Sequence, residues 1–191
     1  MPDTPSTDRT LLRQEQLSTR KAWSTSPEAA SAQLALETRL KTVLSQLEPM
    51  CLGIYWPMKG EFNPRDLALA LAQETGLQLA LPFARKQPIE MHYRLWQGQA
   101  PDAVDECRIP STQGKPVVPE VILVPCLAFT PSGYRLGYGG GYFDRFMAQH
   151  PGVTAIGVAW QHNQLSDTQL RAQSHDQPLL AVVTEAQIFS Q

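Results

Sequence analysis

The chain has no apolar run approaching the roughly 20 residues that span a bilayer. Its N-terminus, Met1-Pro-Asp-Thr-Pro-Ser-Thr-Asp8, lacks the basic-then-apolar order of a secretory signal. The formal net charge is only −2, so nothing marks a general binder of nucleic acid or of an anionic membrane surface. Three cysteines, Cys51, Cys107 and Cys126, are odd in number and show no metal-ligand spacing, so they read as reduced thiols. His92, His150 and His162 are isolated, which argues against zinc. No Gly-Lys-Ser or Gly-Lys-Thr occurs, so there is no Walker loop, and the dinucleotide fingerprint is missing as well. The expectation is a cytoplasmic monomer with small-molecule partners, neither nucleic acid nor membrane.

Against these absences stand 42% hydrophobic residues in a chain of 191, enough for one domain with a real core. Residues 1–8 are polar and expected to be disordered, and residues 9–191 form the domain. Helices are expected from Arg9 to about Ala22, with Leu12 and Leu17 inward and Arg9, Arg13, Arg20 and Lys21 outside. A second is expected from a Ser26-Pro27-Glu28 start to about Glu48, with Leu34, Leu36, Leu40, Val43, Leu44 and Leu47 apolar. Two more follow, from Arg65 to Thr75 and from Gly141 to Gln149. A short helix is also expected between Asp167 and Gln173. Strands are read at 50–56, 77–81, 89–96, 121–124, 154–160 and 179–183, and 97–119 reads as one long loop. Strands that are apolar on both faces and alternate with helices predict an α/β fold with a mostly parallel sheet covered by helices.

The segment from Val121 to Asp144 carries the most chemistry. An apolar strand stops at Pro125; Arg135 follows, then Gly137-Tyr-Gly-Gly-Gly141, then Tyr142-Phe143-Asp144 opening a helix. Glycines let backbone N–H groups approach an anion, and the helix N-terminus faces it with positive charge. Arg135 adds a cation, and Asp144 could hold the magnesium that accompanies a nucleotide. The glycines could equally form a turn. Tyr55-Trp-Pro-Met-Lys-Gly-Glu61 offers an aromatic wall and a carboxylate suited to a flat heterocycle with N–H donors; core aromatics and a solvated glutamate remain the alternative. Ser174-His-Asp176 has no nucleophile-elbow serine to serve, so Asp176 is a second metal carboxylate or a loop cap. Arg9 and Arg13, four apart, share a helical face that could clamp phosphates or simply be solvated.

These residues resemble the 5-formyltetrahydrofolate cyclo-ligase family, also called 5,10-methenyltetrahydrofolate synthetases. Val124-Pro-Cys-Leu-Ala-Phe129 through Arg135-Leu-Gly-Tyr-Gly-Gly-Gly-Tyr-Phe-Asp-Arg145 is similar to the family signature. Tyr55 to Glu61 resembles its folate segment, Arg9 with Leu12-Arg13 its basic N-terminal motif, and His175-Asp176 through Glu185 its C-terminal one. The resemblance implies a three-layer α/β/α domain of Rossmann-like type. It implies that ATP, as co-substrate, meets Arg9, Arg13 and the stretch Arg135, Leu136, Gly137, Tyr138, Gly139, Gly140, Gly141, Tyr142 and Phe143. The reduced folate would meet Trp56, Glu61 and Tyr138 through Tyr142. Mg2+ would sit on Asp144 and Asp176, and Arg135, Tyr142 and Asp144 would be catalytic. Phe143 stands where a second tyrosine is frequent, Leu180 where an aspartate is common, and Arg9 where many members have lysine. The 97–119 loop is a candidate cover. The competing classes are a non-catalytic folate binder, and a sugar-phosphate or acyl-CoA enzyme on a similar fold; the latter does not suit Trp56 and Glu61.

Overall fold

A computed structural model of the chain describes residues 6–58 and 60–191, with side chains from Arg9 onward. Lys59 and residues 1–5 of the expected disordered tail lie outside the described residues. Among the described residues four α-helices form: α1 (Ser6–Trp23), α2 (Ala29–Leu47), α3 (Arg65–Thr75) and α4 (Tyr142–Gln149). No described helix is long and apolar enough to cross a membrane.

The sheet is built on five parallel strands: β1 (Cys51–Gly53), β2 (Gln78–Lys86), β7 (Val121–Pro125), β10 (Thr154–Val158) and β11 (Ala181–Val183). Three antiparallel strands extend its edges. These are β3 (Ile89–Trp96) and β6 (Pro116–Val117) on one side, and β12 (Ile188–Ser190) on the other. The spatial order is β12-β11-β10-β7-β1-β2-β3-β6, a mostly parallel sheet as expected.

Alternation divides the core between the two faces. From β7, Val121 and Leu123 join Leu36, Leu40 and Leu44 of α2 and Leu67, Ala68 and Leu71 of α3. Ile122 and Val124 point the other way, to Phe146 and Met147 of α4. Gly53 of β1 is closely packed, because a Cβ there would lie 2.6 Å from the Tyr93 ring and 2.9 Å from Ile122. The sheet is therefore covered on both sides, which is why its strands read as apolar runs.

Several local expectations change. β2 runs through Pro82 to Lys86 instead of stopping at Leu81. Its partner β1 covers it only as far as Ala80, so beyond that point Pro82 lacks a parallel neighbour that would need its missing N–H. The 97–119 segment is ordered: β4 (Ala103–Val104) pairs with β5 (Pro110–Ser111), and β6 joins the sheet. Buried Asp105 organises it, accepting from Cys107 N and Ile109 N at 2.8 Å and from Ala84 N at 3.2 Å. A second ribbon pairs β8 (Ala128–Phe129) with β9 (Arg135–Leu136). Residues 167–173 form turns and not a helix, with Leu170 N bonded back to Ser166 O and Leu170 buried. Helix α2 begins at Ala29, since Ser26 and Pro27 are spent in the turn that closes α1, through Ser26 N to Trp23 O and Ala29 N to Ser26 O. Leu34 is exposed.

Helix α1 differs most. Leu17 is 40% exposed, whereas Gln16 and Arg20 are buried at 6% and 3%. Arg9, Arg13, Gln16 and Arg20 recur at i, i+4, i+7 and i+11, one stripe of a 3.6-residue helix. That stripe faces polar groups: the Gln16 amide oxygen accepts from Asn163 Nδ2 at 2.8 Å in the 3-10 turn Gln161–Asn163.

His162 in that turn stacks on Trp23 with centroids 4.8 Å apart. Burial, with the Arg20 charge adding, lowers its pKa from 6.5 to about 4. The unfolded chain takes up this proton below 6.5 and the folded one does not, so the neutral ring's contribution to stability is complete above 6.5 and is lost as pH falls toward 4. His162→Phe keeps the stacking and should flatten that part of the melting temperature's decline between pH 7 and 4.5. Parallel declines in both proteins would assign the acid sensitivity elsewhere.

Candidate active site at the diverging strands

β1 and β7 lie side by side, but their crossovers part. β1 leads through α3 to β2 on one side, and β7 through α4 to β10 on the other. In open parallel sheets a ligand crevice forms at the carboxyl ends of strands that diverge in this way. The segments leaving those two ends are Ile54 to Glu61 and Pro125 to Asp144.

From β1, Tyr55 turns into the core and donates to Phe62 O at 3.0 Å, which folds the loop back. Gly60 takes φ +82°, and its carbonyl accepts from Trp160 Nε1 at 2.8 Å. Glu61 thereby comes inward, its side chain only 5% exposed. Its Oε1 accepts from Tyr138 OH at 2.5 Å and faces Arg20 Nη1 at 3.4 Å; its Oε2 accepts from Met58 N at 2.7 Å. Burial pushes the Glu61 carboxyl up, against the pull of Tyr138, Met58 N–H and Arg20. Trp56 is half-buried, edge-on to Trp96, with the Arg65 guanidinium 4.3 Å over its ring. No described contact joins Trp56 to the glycine loop, so the expected pairing of Trp56 with Tyr138 through Tyr142 is indirect.

From β7, the β8–β9 ribbon delivers Arg135 at 8% exposure. Its Nη2 meets Asp144 Oδ2 at 3.0 Å and its Nη1 donates to Gln177 O at 3.3 Å. Leu136 is fully buried with Ala128, Leu165 and Leu170, so only its backbone can face a ligand. Gly137 O accepts from Arg13 Nε at 2.9 Å, and the Arg13 guanidinium carbon lies 3.4 Å from where a Cβ on Gly139 would sit. Gly139 and Gly141 have φ +97° and +64°, while a Cβ on Gly140 would collide with the Tyr142 ring at 2.6 Å. Each of the three glycines thus has a separate steric reason. No side chain caps α4, whose first-turn N–H groups open beside the loop. Tyr142 OH accepts from Cys107 Sγ at 3.2 Å, and chiefly that bond moves the phenol's pKa to about 12. Phe143 packs against the core on the α4 side.

The two candidate metal carboxylates approach one turn. Asp144 Oδ1 accepts from Gln177 N at 3.1 Å, the residue after Asp176. Asp176 is held by Arg9 through both guanidinium arms, at 2.6 and 3.3 Å, and by Gln173 N at 2.8 Å. Burial alone would raise the Asp176 carboxyl, but the Arg9 and Gln173 bonds outweigh it and hold it below the usual range. Among the described residues no group of three or more His, Cys, Asp or Glu could hold a metal by itself. Two hard carboxylates fit an octahedral cation that keeps its waters and takes its other ligands from phosphate. They do not fit zinc.

Sequence reading missed Arg20, Cys107 and Gln177. For Arg20 a signal existed, the stripe 9-13-16-20; for the other two only long-range folding brings them in.

The 5-formyltetrahydrofolate cyclo-ligase family model matches residues 5–185. The chain is similar to the 5-formyltetrahydrofolate cyclo-ligase of Haemophilus influenzae, 26% identical over 152 residues, covering 74% of this chain and 79% of that protein. It is 24% identical over 161 residues to the one of Escherichia coli K12, covering 80% and 87%. Among solved structures it resembles Aquifex aeolicus 5,10-methenyltetrahydrofolate synthetase, with TM-score 0.77, 25% identity and 95% and 92% of the two chains covered. The Mycoplasma pneumoniae 5,10-methenyltetrahydrofolate synthetase shares the fold at TM-score 0.75 and 20% identity over 93% and 99%.

Because the Asp176 pKa is depressed, its ion pair contributes stability above the ordinary carboxylate range and loses it as pH falls through the lowered value. Asp176→Asn should therefore melt earlier than wild type at pH 7, with the gap closing at acid pH. A gap independent of pH would mean that the loss is packing and not charge.

Proposed function

The chain belongs to the 5-formyltetrahydrofolate cyclo-ligase family, and from that membership we propose that it converts 5-formyltetrahydrofolate and ATP to 5,10-methenyltetrahydrofolate, ADP and phosphate. The observation that carries the reading is the convergence of the glycine loop before the uncapped start of α4 and a buried carboxylate, joined by the Tyr138–Glu61 hydrogen bond, at the diverging ends of β1 and β7. The enzyme would act as a cytoplasmic monomer in one-carbon folate metabolism, with neither nucleic acid nor membrane as partner.

The chemistry sets the tasks. A formamide carbonyl is a weak electrophile and its oxygen a poor leaving group. If the formyl oxygen attacks the γ-phosphorus, ADP departs and the oxygen is carried as a phosphorylated imidate. The neighbouring folate nitrogen then attacks the imidate carbon, the five-membered ring closes, phosphate leaves, and that nitrogen gives up its proton to the departing phosphate or to solvent. The protein's part is positioning and charge neutralisation. Arg13, Arg135 and the N–H groups from Gly139 to Phe143 would take the phosphates, stabilising charge that grows during transfer. Leu136 and Gly137 would contribute backbone alone. Magnesium held by Asp144 and Asp176 would offset further phosphate charge when bound. Arg135 and Arg9, now neutralised by those same carboxylates, would exchange partners toward the phosphates.

On the folate side, Glu61 would accept from the N–H donors of the pterin, and Trp56 would flank the ring system. Tyr138 and Tyr142 would border it from the glycine loop. The imidate is open to hydrolysis, so water must be kept out. The 97–119 segment would serve as that cover, a reading supported by the hydrogen bond from Cys107 to Tyr142.

Mixing the protein with 5-formyltetrahydrofolate and Mg-ATP should give an ATP-dependent rise in near-ultraviolet methenyl absorbance; folded protein with no such rise would defeat the reading. Asp144→Asn should lower kcat about 10²-fold with little change in folate Kd. Glu61→Gln should instead weaken folate binding by about tenfold or more, the worth of a hydrogen bond to a charged group. An unchanged folate Kd in Glu61→Gln would remove Glu61 from the site.

A further inference from the structure

We propose that Arg20 is a positioning residue of the folate site: from behind, it holds the Glu61 carboxylate and the Tyr138 hydroxyl as one unit, so that Glu61 meets the substrate ionised and in a single orientation. The inference rests on the assignment of Glu61 to the folate.

Geometry carries it. Arg20 comes from α1, Glu61 from the loop after β1, and Tyr138 from the loop after β7, three segments far apart in sequence. Arg20 Nη1 lies 3.4 Å from Glu61 Oε1, and Nη2 donates to Tyr138 OH at 2.5 Å. The guanidinium carbon also sits 5.5 Å from the Tyr138 ring centroid. Gly60 rests on the arginine's stem, with its missing Cβ 3.4 Å from Arg20 Cγ, so the aliphatic part fixes the loop while the head fixes its carboxylate.

Burial separates the roles. Arg20 is 3% exposed, whereas Tyr138 is 40% exposed. Tyr138 therefore stands on the solvent side and can yield to an incoming ring, and Arg20 cannot leave. Glu61 Oε1 already accepts from two groups and Oε2 from one. A ring with two N–H donors must displace one partner, and exposure selects Tyr138.

Charge completes the argument. Burial opposes ionisation of Glu61, and the other titratable groups around it do not help. Tyr55 and Tyr138 have pKa values pushed up by burial, and Cys126 is raised to about 12, so all three are neutral near pH 7. Arg20 is then the described cation that faces Glu61. Without it a buried carboxylate would tend to take up a proton, and would then donate where the substrate also donates.

The test is steady-state kinetics of Arg20→Gln, Arg20→Lys and Glu61→Gln, with folding checked by circular dichroism and melting. Arg20→Gln should raise the 5-formyltetrahydrofolate KM about tenfold or more, leave the ATP KM within about twofold, and move the acid limb of kcat/KM upward by about one pH unit. Arg20→Lys keeps the charge but not the two-armed fork. It should return the acid limb to its wild-type position while leaving part of the KM increase. Adding Arg20→Gln to Glu61→Gln should cost little more than Glu61→Gln alone. A folded Arg20→Gln enzyme with folate KM and acid limb both unmoved overturns the proposal. If Arg20→Gln does not fold, an Arg20→Lys enzyme with an unchanged folate KM overturns it equally. If Glu61→Gln itself leaves folate binding intact, the assignment of Glu61 has failed; if Glu61→Gln weakens folate binding and the Arg20 variants do not, only the role of Arg20 falls.

Discussion

The divergence of two adjacent parallel strands governs the rest of the molecule. Crossovers between parallel strands are right-handed, so a chain that steps one way from β1 and the other way from β7 must place its helices on opposite faces. α3 packs on one face of the sheet with α2, and α4 on the other. Between them the strand ends are left uncovered, and the loops there can approach each other without sharing a helix. Gly53 in β1 permits the close packing, since Tyr93 and Ile122 occupy the space a side chain would need.

That crevice needs a wall, and α1 supplies one of an uncommon kind. Most surface helices bury an apolar stripe; this one buries Gln16 and Arg20 and half-buries Arg13, and its partners are a carboxylate, a phenol, an amide and a carbonyl. Burying charge is costly unless each charge finds a partner. Here the costs are met in pairs, Arg20 with Glu61, Arg9 with Asp176 and Arg135 with Asp144. Two of the pairs, Arg20 with Glu61 and Arg9 with Asp176, join segments distant in sequence, and Arg135 with Asp144 closes the glycine loop locally, so the same contacts that neutralise charge also set the spacing of the site. Removing one member of such a pair strands the charge of the other, and the guanidinium fork suits phosphate as well as carboxylate.

The central motif was legible because its chemistry is local. A strand end, Arg135, three glycines and a helix start lie within about two dozen residues, and the steric demands at Gly139, Gly140 and Gly141 are short-range. The parallel core was legible for the same reason, through apolar runs at 121–124, 154–160 and 179–183, of which the strands take 121–125, 154–158 and 181–183. Periodicity alone puts Arg20 outward, because a basic residue on an amphipathic helix ordinarily faces solvent, and Leu17 inward for the converse reason. Both inversions follow from what this stripe of α1 faces, which is the polar groups of other segments, while Leu12 and Trp23 of the same helix pack against the apolar core. The 97–119 stretch read as a loop because proline and glycine hide two-residue strands, and its order depends on Asp105 reaching Ala84 across 21 positions.

The amino-acid sequence alone determined the α/β class, the glycine loop with its flanking Arg135 and Asp144, and the resemblance that points to a reduced folate and ATP. All of these reside in short-range pattern, where spacing along the chain is spacing in the fold. Tertiary structure decided which charges meet. Glu61 is oriented by Arg20 and Tyr138, Asp176 by Arg9, and Asp144 shares a turn with Asp176 through Gln177. These contacts are separated by between 33 and 167 positions, and only the closing of the sheet around β1 and β7 brings them within hydrogen-bonding distance.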